Sequence, residues 1–209
     1  MIISPSIASS DVLHVADEVD FAGKYFDDIH IDIEDGIAVS GITFGMKMAS
    51  AICKRAAKTT SLHLEVLRPL DYLDELAKIR PDIIFIQVDH LDNPEEVIDK
   101  FRKASLNVSV ALTDRDINKN YDRMLSSFDQ ILMLTAEHDD PKQEYQEYLK
   151  NYGMYLAEKF NLKLWLDGGI NHHIYHNLKD TNVYAAVMGR AIFSDKAEAI
   201  KLYSKQVKL

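Results

Sequence analysis

Eight short runs of β-branched and aliphatic residues recur along the chain, each followed by a stretch of helical periodicity. That alternation restricts the chain to parallel βα architectures. The runs begin near Ile2-Ile3, Ile29-His30-Ile31-Asp32-Ile33, Leu62-His63-Leu64, Ile83-Ile84-Phe85-Ile86, Val108-Ser109-Val110-Ala111-Leu112, Ile131-Leu132-Met133-Leu134, Leu164-Trp165-Leu166-Asp167 and Val183 to Met188. Between them, Val12, Val15, Ala16 and Val19 predict the buried stripe of a first helix, and Val97, Ile98 and Phe101 that of a fourth. Asn93-Pro94-Glu95-Glu96 and Ser194-Asp195 read as helix starts. The fifth helix, around residues 117–126, has little apolar stripe, because Asn118, Lys119, Asn120 and Asp122 interrupt it. Eight such units in 209 residues predict an α/β fold, a (β/α)8 TIM barrel, as a single domain over 1–209. A doubly wound open sheet is the runner-up, but no GxGxxG or GxxxxGKS/T follows any strand.

Composition narrows the function classes. With 47% hydrophobic and 27% charged residues, disorder, collagen and disulfide scaffolds are excluded. A net charge of −9 repels phosphate backbones and anionic lipids, so no nucleic acid and no membrane is expected as a partner. Met1-Ile2-Ile3-Ser4-Pro5 lacks the basic segment and apolar run of a signal peptide, and Cys53 is the only cysteine. Together these predict a cytoplasmic protein in which Cys53 is a small apolar residue of a helix.

Strand interiors of a parallel barrel should be apolar, so histidines and carboxylates near strand ends are the informative exceptions. His30 and Asp32 stand two apart and share one side of their strand, His63 follows on the third strand and Asp167 ends the seventh. Two imidazoles and two carboxylates at one barrel mouth suit a divalent metal of Zn, Mn or Fe(II) type. The alternative is that each is a solvated loop residue or a satisfied buried polar group. His14, His90, His138, His172, His173 and His176 lie in expected helices or loops and read as solvated.

Several motifs resemble those of the ribulose-phosphate 3-epimerases. Pro5-Ser6-Ile7-Ala8-Ser9-Ser10-Asp11 is similar to the family's opening motif, and His30-Ile31-Asp32-Ile33-Glu34-Asp35-Gly36 to its HxDxMDG segment. Ile42-Thr43-Phe44-Gly45, Leu62-His63-Leu64, Asp167-Gly168-Gly169-Ile170 and Gly189-Arg190-Ala191-Ile192-Phe193 follow in the family's order. The resemblance implies a (β/α)8 barrel whose one divalent metal ion (Zn, Fe(II), Mn or Co) is held by His30, Asp32, His63 and Asp167. Asp32 and Asp167 would double as the acid/base pair that inverts C3 of a ketose phosphate, by default D-ribulose 5-phosphate. Ser6 matches a position near the substrate, its alternative being a hydroxyl tied to the barrel backbone. Gly168, Gly169, Gly189 and Arg190 match the phosphate end, where the glycines are equally readable as turn residues. A small sugar phosphate is thus the expected partner, along with self-association into a homo-oligomer.

The chain also departs from this pattern. Three methionines that cap the family's metal site are matched here by Glu34, Glu65 and Leu134, with Met133 on the other face of its strand. If the strands persist that far, Glu34 and Glu65 face the site and oppose an anionic substrate unless paired, with Arg68 or Arg115 as candidates, or protonated. If the strands end early, both reach solvent. The family's NPGFGGQ loop is replaced by Glu137-His138-Asp139-Asp140-Pro141-Lys142-Gln143, the NP pair after strand five by Thr113-Asp114, and a strand-four histidine by Gln87. A non-catalytic or altered-substrate metal-binding relative is the alternative these changes suggest. A related decarboxylase or aldolase ranks third, since the lysine expected beside aspartate at the end of strand three is missing.

Overall fold

The computed structural model describes residues 1–137 and 142–204. Eight strands, β1 (Ile2–Pro5), β2 (Asp28–Glu34), β3 (Thr59–Glu65), β4 (Ile83–Gln87), β5 (Val108–Leu112), β6 (Gln130–Leu134), β7 (Lys163–Asp167) and β8 (Ala185–Met188), form one parallel sheet. Its order is β1-β8-β7-β6-β5-β4-β3-β2, and a parallel bridge between Ser6 and His30 brings the two outer strands together, so the sheet curls into a nearly closed barrel. The helices are α1 (Val15–Tyr25), α2 (Met46–Arg55), α3 (Leu73–Ile79), α4 (Pro94–Lys103), α5 (Asp122–Leu125), α6 (Glu147–Phe160), α7 (His172–Leu178), α8 (Arg190–Phe193) and α9 (Lys196–Tyr203).

The alternation within strands builds two cores. Outward-facing Ile29, Ile31 and Ile33 of β2, Leu62 and Leu64 of β3, Ile84 and Ile86 of β4 and their counterparts pack under the helices in one continuous core. Inside the barrel, Ile83, Phe85, Ala111, Leu132, Trp165, Ala185 and Val187 fill the sector lined by β4 to β8, with the Phe85 and Trp165 rings 5.3 Å apart. The sector lined by β1 to β3 is polar instead. Ser4, Asp28, Ser61, His30 and His63 are all buried there, and the first four are linked by hydrogen bonds. A barrel filled this way has a rigid apolar wall facing a polar one, and the polar wall opens onto the C-terminal mouth.

Several expectations are met and others corrected. Asn93 accepts from the Glu96 amide at the start of α4, Asp195 does the same for Glu198 in α9, and Cys53 sits in α2. Helix α1 begins only at Val15, so Val12 lies before it and is exposed, as is Ala16; Val15 and Val19 alone of that stripe are buried. The weak fifth helix is a single turn, α5, preceded by a 3-10 turn over Asp114–Asp116 that Thr113 and Asp116 cap reciprocally. His90 is not solvated: it is half-buried, with Nδ1 3.1 Å from Asp89 and Nε2 3.0 Å from the Val66 carbonyl. His138 lies outside the described residues.

Candidate active site and metal centre

The four residues expected to bind a metal converge. His30 Nε2 is 3.2 Å from Asp32 Oδ1 and 3.7 Å from Asp167 Oδ2, and His63 Nδ1 is 3.9 Å and 4.0 Å from the same two oxygens. All four ligand atoms fit within 4.8 Å of one another. Strand register explains the meeting: Asp32 pairs with His63, and His30 with Ser61, so side chains of β2 and β3 share a face, while Asp167 reaches in from β7. His30 Nε2 and His63 Nδ1 are buried and accept or donate no hydrogen bond among the described residues. Orphaned ring nitrogens facing two carboxylates are what a divalent cation needs, so the donor set fits one.

Behind the cluster lies a network that sequence reading missed. Ser61 donates to Asp28 Oδ2 at 2.6 Å, Ser4 donates to the same oxygen at 2.5 Å, and Thr59 donates to Oδ1 at 2.7 Å. With its proton committed to Asp28, Ser61 Oγ is the acceptor for His30 Nδ1 at 2.7 Å. The Nδ1 proton is thereby fixed and Nε2 is turned toward the carboxylates, the arrangement by which outer partners orient metal-binding histidines. Ser6 donates to Asp32 Oδ2 at 2.5 Å, so its hydroxyl is tied to the carboxylate and not to the barrel backbone. The available signal was strand alternation: Asp28, His30 and Asp32 share one parity, as do Ser61, His63 and Glu65.

The electrostatics are strongly mutual. Burial would depress both imidazoles, but Asp32 and Asp167 outweigh it for His30, and Glu65, Asp32 and Asp167 raise His63 to about 9. Burial would raise Asp32, yet His30 and His63 hold it below its ordinary value. Burial and the neighbouring Asp32 push Asp167 up to about 7. Glu34 is also pushed to about 7, by burial and then by the charges of Glu65 and Asp32. Protons and a cation compete for the same atoms here.

Glu34, Glu65 and Leu134 are placed as the persistent-strand reading requires. Strands β2 and β3 continue in register to Glu34 opposite Glu65, and Glu65 is buried. Neither arginine neutralises them: Arg68 pairs with Asp71 and Arg115 lies 3.7 Å from Asp89. Leu134 lines the mouth, while Met133 is buried in the outer core. A cavity of 1060 Å³ at this mouth is lined by Ser6, Asp32, Glu34, His63, Glu65, Leu134, Asp167, Gly168, Gly169, Gly189 and Arg190 among others. Gly168 and Gly169 have φ of +107° and +69°, and a side chain at Gly169 would meet the Gln143 carbonyl. Both are therefore required by the turn, which Thr135 ties down by donating to the carbonyls of Asp167 and Gly168. Arg190 does not stand free, because its Nη2 donates to the Lys142 carbonyl at 2.8 Å.

Solved structures with this fold include KGPDC from Streptococcus mutans, with a TM-score of 0.65 at 13% identity, covering 97% of this chain and 99% of that one. The tryptophan synthase alpha-subunit of Pyrococcus furiosus gives 0.68 at 13% identity over 94% and 90%. These establish a TIM barrel. Among curated proteins, the ribulose-phosphate 3-epimerase of Helicobacter pylori is 22% identical over 211 residues, covering 99% of this chain and 97% of that protein. That of Synechocystis is 28% identical over 212 residues, covering 96% and 91%. The class is thus an isomerase that epimerises carbohydrates. The model of the ribulose-phosphate 3 epimerase family matches residues 2–193, and the chain belongs to that family.

Proposed function

We propose that this protein is a metal-dependent 3-epimerase of a ketose phosphate, with D-ribulose 5-phosphate and D-xylulose 5-phosphate as the substrate pair. The observation that carries the reading is the approach of two carboxylates, Asp32 and Asp167, to one histidine nitrogen from β2 and β7, with β1 and β8 between them. Carboxylates arriving from different strands address a substrate carbon from two directions. One takes the C3 proton as general base, the other returns a proton to the opposite face, and the configuration inverts. Ser6 holds the Asp32 carboxylate in place, and Ser61 holds the His30 ring. A divalent cation at His30, Asp32, His63 and Asp167 supplies Lewis acidity for the negative charge that develops when the C3 proton leaves. Gly168, Gly169, Gly189 and Arg190 form the end of the cavity assigned to the phosphate.

One observation favours the second reading, an altered-substrate or non-catalytic metal-binding relative: the Arg190 guanidinium is committed to the Lys142 carbonyl, and Glu137 and Glu144 also line the cavity, which disfavours a phosphate there. A homo-oligomer and a cytoplasmic setting accompany the epimerase reading; no helix among the described residues is long and apolar enough to cross a membrane. The test is conversion by Asp32→Asn and Asp167→Asn variants shown to bind Mn²⁺. Each is expected to lose C3 proton exchange, and exchange retained in both would sink the two-aspartate mechanism.

A further inference from the structure

We propose that Glu65 is a fifth protein ligand to the divalent ion in the substrate-free protein, joining His30, Asp32, His63 and Asp167, and that it turns the site toward oxygen-favouring Mn²⁺ relative to Zn²⁺. The inference rests on the metal-dependent reading above. Glu65 follows His63 by two residues on β3, so the pleat brings both side chains to the same face, and β3 remains paired through Glu65. The carboxylate is buried, and Oε1 lies 3.2 Å from His63 Nδ1.

That contact is close without being a hydrogen bond: His63 Nδ1 has no hydrogen-bond partner among the described residues. His30 Nε2 and Asp32 Oδ1 stand in the same relation, also 3.2 Å apart and also without a hydrogen bond. Two donors each about 2.0–2.2 Å from one cation, at close to a right angle, lie about 3 Å apart. Glu65 and His63 are therefore spaced as neighbouring ligands can be; Glu65 stands at the edge of the four-residue group whose donor atoms all lie within 4.8 Å of one another, and a rotation of its side chain brings it in. No lysine or arginine among the described residues pairs with Glu65, the two arginines named as candidates from the sequence, Arg68 and Arg115, being engaged with Asp71 and Asp89. In the metal-free protein the His63 ring is the counter-charge beside this buried carboxylate, and a dication that takes the place of the ring proton takes over that role. A third carboxylate also shifts the donor set from nitrogen toward oxygen, the preference of Mn²⁺.

Metal-free wild type and the variants E65Q, E65M and E34Q are titrated with Mn²⁺, free ion being read by electron paramagnetic resonance, with the visible absorption of the Co²⁺ forms recorded in parallel. E34Q replaces a carboxyl group of the same mouth that is not among the proposed ligands, so it controls for loss of a neighbouring carboxyl group without loss of a ligand. E65Q and E65M are expected to lose about 10–100-fold in Mn²⁺ affinity and to show altered Co²⁺ bands, whereas E34Q costs about threefold or less and leaves the bands in place. E65M, apolar and of similar reach, keeps the test alive if E65Q fails to fold. Equal weakening by E65Q and E34Q with superimposable Co²⁺ spectra would overturn the assignment. Wild type that binds none of Mn²⁺, Co²⁺ or Zn²⁺ would overturn it together with the metal-dependent reading. A Glu65 effect of the expected size in a protein that exchanges no C3 proton supports the ligand and leaves only the epimerase reading in error.

Discussion

Replacing Ser61 by alanine tests whether the polar side of the barrel prepares the metal centre. Ser61 Oγ sits between His30 Nδ1 at 2.7 Å and Asp28 Oδ2 at 2.6 Å, and all three residues are buried. Removing the hydroxyl leaves the His30 N–H without its acceptor, which costs about 1–3 kcal/mol in the fold. It also frees the imidazole to rotate or exchange tautomers, and loss of such an outer partner typically lowers metal affinity about 10–100-fold, roughly 1.4–2.7 kcal/mol. The assay is Mn²⁺ titration of metal-free wild type and S61A, paired with urea unfolding of each metal-free protein. S61A is expected to show both losses while Ser4 and Thr59 still bond Asp28. Affinity within twofold of wild type, in a folded variant, would refute the reasoning that Ser61 orients His30.

The metal-free protein should lose stability as pH rises from about 5 to 9. Glu34 binds its proton more tightly folded than unfolded, so its contribution is full below its ordinary value near 4.5 and is lost as pH passes 7. His63 contributes fully below 6.5 and loses its share as pH passes 9, on the order of 2–3 kcal/mol for this buried ring. Thermal unfolding in chelator should therefore fall across this window, and Glu34→Gln should flatten its lower half; a midpoint that climbs from pH 5 to 8 would contradict the sign. Phe85→Ala, which empties a fully buried position against Trp165, should cost about 3–5 kcal/mol in urea unfolding. A loss under 1 kcal/mol would mean that the barrel interior collapses around the gap.

The barrel and the four-residue cluster were legible because each rests on local alternation. Asp28-Ile29-His30-Ile31-Asp32-Ile33-Glu34 writes polar residues inward and isoleucines outward with no exception, and that pattern survives any detail of packing. Pairing between strands was not legible from any one of them. Ser61 stands just before the apolar run of the third strand and gains its meaning only when the register sets it opposite His30, and Asp28, just before that of the second, only when three hydroxyls from β1 and β3 converge on it. The same limit applies to Glu34 and Glu65, whose direction depended on where β2 and β3 end, and to Arg190, whose partner lies 48 residues away in the chain. Helix α1 was overextended because Val12 fits the apolar stripe in spacing, although the helix starts three residues later and leaves it exposed.

The most direct test of the central claim is proton nuclear magnetic resonance of the Mn²⁺- or Zn²⁺-reconstituted protein, freed of excess ion, acting on D-ribulose 5-phosphate in deuterated water. The account predicts that the C3 proton signal is lost to solvent deuterium while D-xylulose 5-phosphate accumulates. A C3 signal that persists through prolonged incubation with metal-bound protein, for this and other ketose phosphates, would contradict it.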